Sequence, residues 1–159
     1  MKNIFFFQEE MQMIKRSALT FFLLIGVTLL SGCAPRNAGL SINDAWARPG
    51  KAGGNSAVYF TLKNSTAEAD VLLKVDGDVA ESVELHESIV DENGTMMMRP
   101  LESVPLESHS KVEFKPGGRH VMLFSLEHDL NVGDQFTLTL DFQSNPDLTL
   151  QVQVKESPE

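Results

Sequence analysis

Apolar residues recur at every second position through most of the chain beyond residue 40. That pattern commits the chain to strands, because strand side chains alternate between two faces whereas a helix needs a period of about 3.6. Phe136, Leu138, Leu140 and Phe142 alternate with Thr and Asp, and Leu148, Leu150, Val152 and Val154 alternate with Thr and Gln. Further strands are expected over 57–62, 71–75, 83–90, 95–101, 112–114 and 120–126. Asn64-Ser65, Asp76-Gly77, Asn93-Gly94, Pro116-Gly117-Gly118 and Val132-Gly133 supply the turns between them. Seven or eight short strands without a long helix predict an all-β fold, an antiparallel sandwich or barrel with Greek-key connections.

The N-terminus sets the compartment, and with it the available metal chemistry. Lys15 and Arg16 precede an apolar run from Ala18 to Leu30 that is short for a membrane span and is followed by small residues, the pattern of a signal peptide over 1–32. Its end, Leu30-Ser31-Gly32-Cys33, resembles the bacterial lipobox, so Cys33 is expected to carry the lipid that tethers the protein to a membrane. Cys33 is the only cysteine in the chain and has no disulfide partner. Ala34 rather than Asp after it favours the outer membrane of a periplasm-facing lipoprotein. The N-terminal Phe5-Phe6-Phe7 and Glu9-Glu10 fit a signal sequence poorly, so Met11 and Met13 are alternative starts. Residues 33–40 read as lipidated terminus and tether, and 41–156 as a single domain. Processing leaves 127 residues, enough for one core, with 10 Lys+Arg against 20 Asp+Glu. So acidic a surface argues against nucleic acid as a partner.

After that cleavage only four methionines remain, Met96, Met97, Met98 and Met122, although methionine used purely for packing would be scattered. His86 precedes the first group and His120 lies two residues before Met122. Thioether sulfur is a soft, neutral donor that Mg²⁺ and Ca²⁺ do not choose, and together with imidazole it suits copper, above all Cu(I). Zinc would call for cysteine, carboxylate or more histidine. Residues two apart on a strand share a face, so His120 and Met122 project together while Val121 and Leu123 turn toward the core. The Asn93-Gly94 turn should bring His86 and Met98 within one residue of direct opposition. The expected metal ligands are therefore His86, Met98, His120 and Met122. Met96 shares the Met98 face and reads equally as an additional ligand or as packing; Met97 is expected to pack into the core. His109 and His128 stand in acidic loop contexts and read as surface residues, and Trp46 reads as a core aromatic.

The order His86, one residue and then ten, Met98, twenty-one residues, His120, one residue, Met122 resembles the H(M)x10Mx21HxM signature of the periplasmic copper chaperones called PCu(A)C. Asp44-Ala45-Trp46-Ala47-Arg48-Pro49, Glu84-Leu85-His86, Met98-Arg99-Pro100 and His120-Val121-Met122-Leu123 extend the likeness. The resemblance implies a cupredoxin-like or immunoglobulin-like β-sandwich that holds one Cu(I) and passes it to the copper site of a respiratory oxidase, or to another copper-handling protein. Some members carry a His- and Met-rich C-terminal tail with a second copper site; residues 153–159 have neither residue type, so one site is expected. No Ser-His-Asp set or catalytic carboxylate pair stands out, and a blue-copper centre would need a thiolate. The chain is therefore expected not to be an enzyme. A copper-sequestering lipoprotein without a dedicated acceptor, and a structural lipoprotein whose methionines form an apolar rim, are the alternatives.

Overall fold

A computed structural model describes residues 39–156. The expected signal peptide and the lipidated Cys33 lie outside the described residues.

Ten strands and no helix make up this part of the chain: β1 (Leu40–Ala47), β2 (Ser56–Asn64), β3 (Asp70–Asp76), β4 (Ala80–Val90), β5 (Met96–Pro100), β6 (Val104–Leu106), β7 (Lys111–Phe114), β8 (Arg119–Leu126), β9 (Gln135–Phe142) and β10 (Leu148–Val154). They hydrogen-bond in the order β5-β4-β8-β7-β2-β1-β10-β9-β3-β6, with β8 also paired to β2. Neighbours such as β4 and β8, or β1 and β10, are distant in sequence, which is the crossed connectivity expected of a Greek key. The inward residues form one core. Val58, Phe60 and Leu62 of β2 meet Val121 and Leu123 of β8, Leu138 and Leu140 of β9, and Val152 and Val154 of β10. Phe60 stacks on Phe114 with ring centroids 4.3 Å apart. The strand alternation thus becomes a β-sandwich, as expected.

Three details differ from the sequence reading. Strand β1 was not anticipated: it begins at Leu40, the last residue of the supposed tether, and Leu40 is buried. A bulge hides its alternation, since the register with β2 shifts between Asn43 and Trp46 and Asp44 takes a left-handed φ of 55°. Strand β6 is only Val104-Pro105-Leu106, and it sits at the sheet edge, where a proline without an N–H is tolerated. Nor is the sheet wholly antiparallel, because β1 and β10 run parallel, as does the single β7–β8 bridge. The long connection between the first and last strands leaves their relative direction free of hairpin geometry.

Asp70 ties the β9–β10 turn to the start of β3. Its carboxylate accepts the N–H groups of Val71, Ser144 and Asn145 at 2.8, 3.0 and 3.1 Å, and the Asn145 side-chain amide at 2.7 Å. Burial pushes its pKa up, yet these hydrogen bonds to the ionised form outweigh burial and hold the carboxyl below its ordinary 3.8. A depressed carboxylate stabilises the fold above its unfolded pKa and loses that contribution as the pH falls through the folded value. Asp70→Ala should therefore cost about 1.5–3 kcal/mol at neutral pH, the range for hydrogen bonds to a charged group. Urea unfolding of both proteins should show this gap narrowing only once the pH drops below 3.8. A gap that is independent of pH down to strong acid would mean that the charge of Asp70 does not matter.

Candidate metal centre

Strands β4 and β8 are antiparallel and in direct register, so His86 pairs with His120 and Glu84 with Met122. Residues paired in this way share a face of the sheet. The opposite face of the same strands carries Leu85, Val121 and Leu123 into the core, as expected for the last two. On the outer side of β4, the edge strand β5 places Pro100 beside His86, Met98 beside Ser88 and Met96 beside Val90. His86 and Met98 are therefore two residues from opposition rather than one, which keeps them on one face but diagonal. The reason lies in the turn. Asp91 N donates to Thr95 O at 2.9 Å and the Asp91 carboxylate accepts the N–H of Asn93 and of Thr95, so Thr95 belongs to the turn and pairing starts at Met96. Gly94 supplies the left-handed φ of 79° that this turn requires.

The two imidazoles are buried side by side. His86 is 8% and His120 3% exposed, their ring centroids are 6.0 Å apart, and Phe124 stands 5.6 Å from the His86 ring as an apolar wall. Each ring has one nitrogen engaged. His86 Nε2 lies 2.9 Å from the Glu84 carboxylate, and His120 Nδ1 lies 2.9 Å from the Gly118 carbonyl. Both partners accept, so both engaged nitrogens carry the proton. The other nitrogens, His86 Nδ1 and His120 Nε2, are then bare lone pairs, and both are buried with no hydrogen-bond partner among the described residues. Buried polar atoms are nearly always satisfied, so two bare nitrogens on adjacent strands mark a place where a ligand could be held. Glu84 stays ionised: the hydrogen bond from His86 first, and that from Ser82 second, hold its carboxyl below the usual range.

Beside His120 opens a cleft of about 290 Å³ that Met122, Met96, Met98, Tyr59 and Arg48 also line, whereas His86 lies behind His120 and does not line it. Met122 is half-buried against a small second apolar cluster of Trp46, Ala57 and Tyr59. Trp46 is thus buried, but on the side of the cleft rather than in the main core, with its ring 4.6 Å from Tyr59. Burial pushes the Tyr59 phenol up, against the pull of the Arg48 guanidinium 5.4 Å from its ring. Met96 and Met98 are 60% and 59% exposed on the edge hairpin. Met97, expected in the core, is instead 46% exposed, because the whole of β5 is uncovered on both faces. His109 and His128 are exposed, as expected. Among the described residues no group of three His, Cys, Asp or Glu side chains is placed to hold a metal; the further soft donors beside His120 are the thioethers of Met96, Met98 and Met122. The sequence reading gave no role to Glu84, although its position two residues before His86 puts both on one face of β4.

Comparison with known proteins identifies the family and the fold. The family described as "Putative lipoprotein LpqE-like" matches residues 40–154. "Uncharacterized protein RP573" of Rickettsia prowazekii is 34% identical over 125 residues, covering 76% of this chain and 68% of that protein. "Putative lipoprotein Lxx21020" of Leifsonia xyli is 25% identical over 152 residues, 89% of each. Among solved structures, the "Copper-bound PCuAC domain from PmoF2" superposes with a TM-score of 0.62 at 24% identity, covering 75% of this chain and 94% of that one. The solution structure of "CuI-DR1885" from Deinococcus radiodurans gives 0.53 at 22% identity over 81% and 85%. The chain belongs to the LpqE-like family and has the β-sandwich fold of PCuAC domains.

Proposed function

We propose that this chain is a copper chaperone of the cell envelope. It binds one Cu(I) through His86, Met98, His120 and Met122, with Met96 as an additional donor, and surrenders it to the copper site of a respiratory oxidase or to another copper-handling protein. A lipid on Cys33, beyond a signal peptide over 1–32, holds it at a membrane facing the periplasm, with Ala34 favouring the outer one. Residues 41–156 act as its single copper-binding domain.

The observation that carries this reading is the pair of buried, unpartnered imidazole nitrogens beside a cleft lined by thioethers. Neutral nitrogen and sulfur donors satisfy a soft monovalent ion and serve hard divalent ions poorly. The fold shared with a copper-bound PCuAC domain and with CuI-DR1885 supports the same ion. The division of the site favours transfer over storage. Two donors are fixed and buried, whereas Met96 and Met98 are exposed on an edge strand, where an acceptor's ligands can displace them one at a time. Such exchange replaces one metal–ligand bond by another and leaves the oxidation state of the ion unchanged, so the protein acts as a carrier and not as an enzyme. A copper-sequestering lipoprotein would use the same donors, and only transfer to an acceptor separates the two.

Titration of the chain with Cu(I) against a chromophoric chelator should give one equivalent of tightly held ion. Met98→Ala and His120→Ala should each weaken it by about a hundredfold or more, at or above the upper end of the cost of losing an outer partner. Their circular dichroism should remain that of the parent. Variants that bind like the parent, or a parent that takes up no Cu(I), would remove the basis of the proposal.

A further inference from the structure

The two histidines leave opposite nitrogens unpartnered, and the group behind each ring decides which. For His120 it is the Gly118 carbonyl, which accepts at Nδ1 and leaves Nε2 bare. For His86 it is a side chain. Ser82, Glu84 and His86 occupy alternate positions of β4 and so lie on one face. Ser82 Oγ donates to Glu84 Oε1 at 2.8 Å, and Glu84 Oε2 lies 2.9 Å from His86 Nε2, so that Nδ1 is the nitrogen left over. Glu84 also stands directly opposite Met122, within the square formed by His86, His120, Met122 and itself.

We propose that Glu84 is a positioning residue, braced by Ser82, that commits His86 to bind the ion through Nδ1 while His120 binds through Nε2. The inference rests on the copper-binding reading above. Glu84 fixes the plane of the His86 ring and keeps the proton on Nε2. Without it, a buried Nε2–H has no acceptor and the ring is free to turn its other edge to the cleft. Its negative charge, held behind the ring at Nε2, would further offset the charge of Cu(I). Outer partners of this kind orient metal-binding imidazoles and raise their basicity.

The test is nitrogen-15 NMR of the His86 ring in the full chain, without and with Cu(I), in the parent and in Glu84→Ala and Glu84→Gln. In the parent, Cu(I) should shift Nδ1 of His86 and Nε2 of His120, with Nε2 of His86 remaining protonated. Glu84→Ala should bind Cu(I) about tenfold more weakly, and its His86 should coordinate through Nε2 or through a mixture. Glu84→Gln should recover most of the affinity and the Nδ1 signature, since its amide oxygen still accepts from Nε2 and its amide N–H can donate to Ser82 Oγ. Coordination through Nε2 of His86 in the parent would overturn the assignment, as would parental affinity and parental ring shifts in Glu84→Ala. The parent spectrum decides the first point even if an alanine variant does not fold. Absence of Cu(I) uptake by the parent is a different result, and it overturns the copper reading together with this one.

Discussion

The register of one strand pair organises the site. With β4 and β8 aligned so that His86 meets His120 and Glu84 meets Met122, four polar or soft side chains stand together on one face. Leu85 and Val121, the intervening pair, close the core beneath them. A slip of one residue would exchange the two faces, burying imidazoles among leucines and exposing the core. The apolar face therefore enforces the register, and the register in turn builds the site. Glu87, which reaches Arg99 at 3.0 Å and Arg119 at 3.6 Å on the flanking strands, sits at the same alignment. Such exposed pairs add little stability, but they agree with the register that the core dictates.

Strand β2 shows how a small sandwich accommodates a site without opening its core. From Ala57 to Phe60 it is buried on both faces, with Val58 and Phe60 in the main core and Ala57 and Tyr59 under Trp46 and Met122. This second, smaller cluster gives the cleft one rigid wall. The other wall is β5, an edge strand exposed along its length and joined to the body through β4. Two imidazoles with fixed tautomers and a half-buried thioether thus face exposed thioethers on a strand that is covered on neither face. That asymmetry suits the proposed binding and release of an ion.

Period-two patterning was enough to find eight of the strands, because most of them bury one face and leave Thr, Gln, Lys or Asp on the other. It could not find β1, where an extra residue at Asp44 breaks the parity, nor β6, whose three residues and proline carry no period. The pairing of His120 with Met122 followed from parity alone. The offset between His86 and Met98 did not, because it depends on whether Thr95 joins the turn or the strand, and the Asp91 side chain decides that. Met97 was misread for a related reason: parity assigns it a face, but nothing in the sequence says that this edge strand is covered on neither. The hydrogen-bond partners of the two rings, Glu84 and the Gly118 carbonyl, were invisible, since they acquire meaning only once the strands are aligned.

X-ray absorption at the copper K-edge of the Cu(I)-loaded chain bears most directly on the central claim that nitrogen and sulfur donors converge on one ion. A first coordination shell containing both imidazole nitrogen and thioether sulfur around a Cu(I) edge is the result this structure predicts. A shell of sulfur alone, or of nitrogen and oxygen alone, would contradict it.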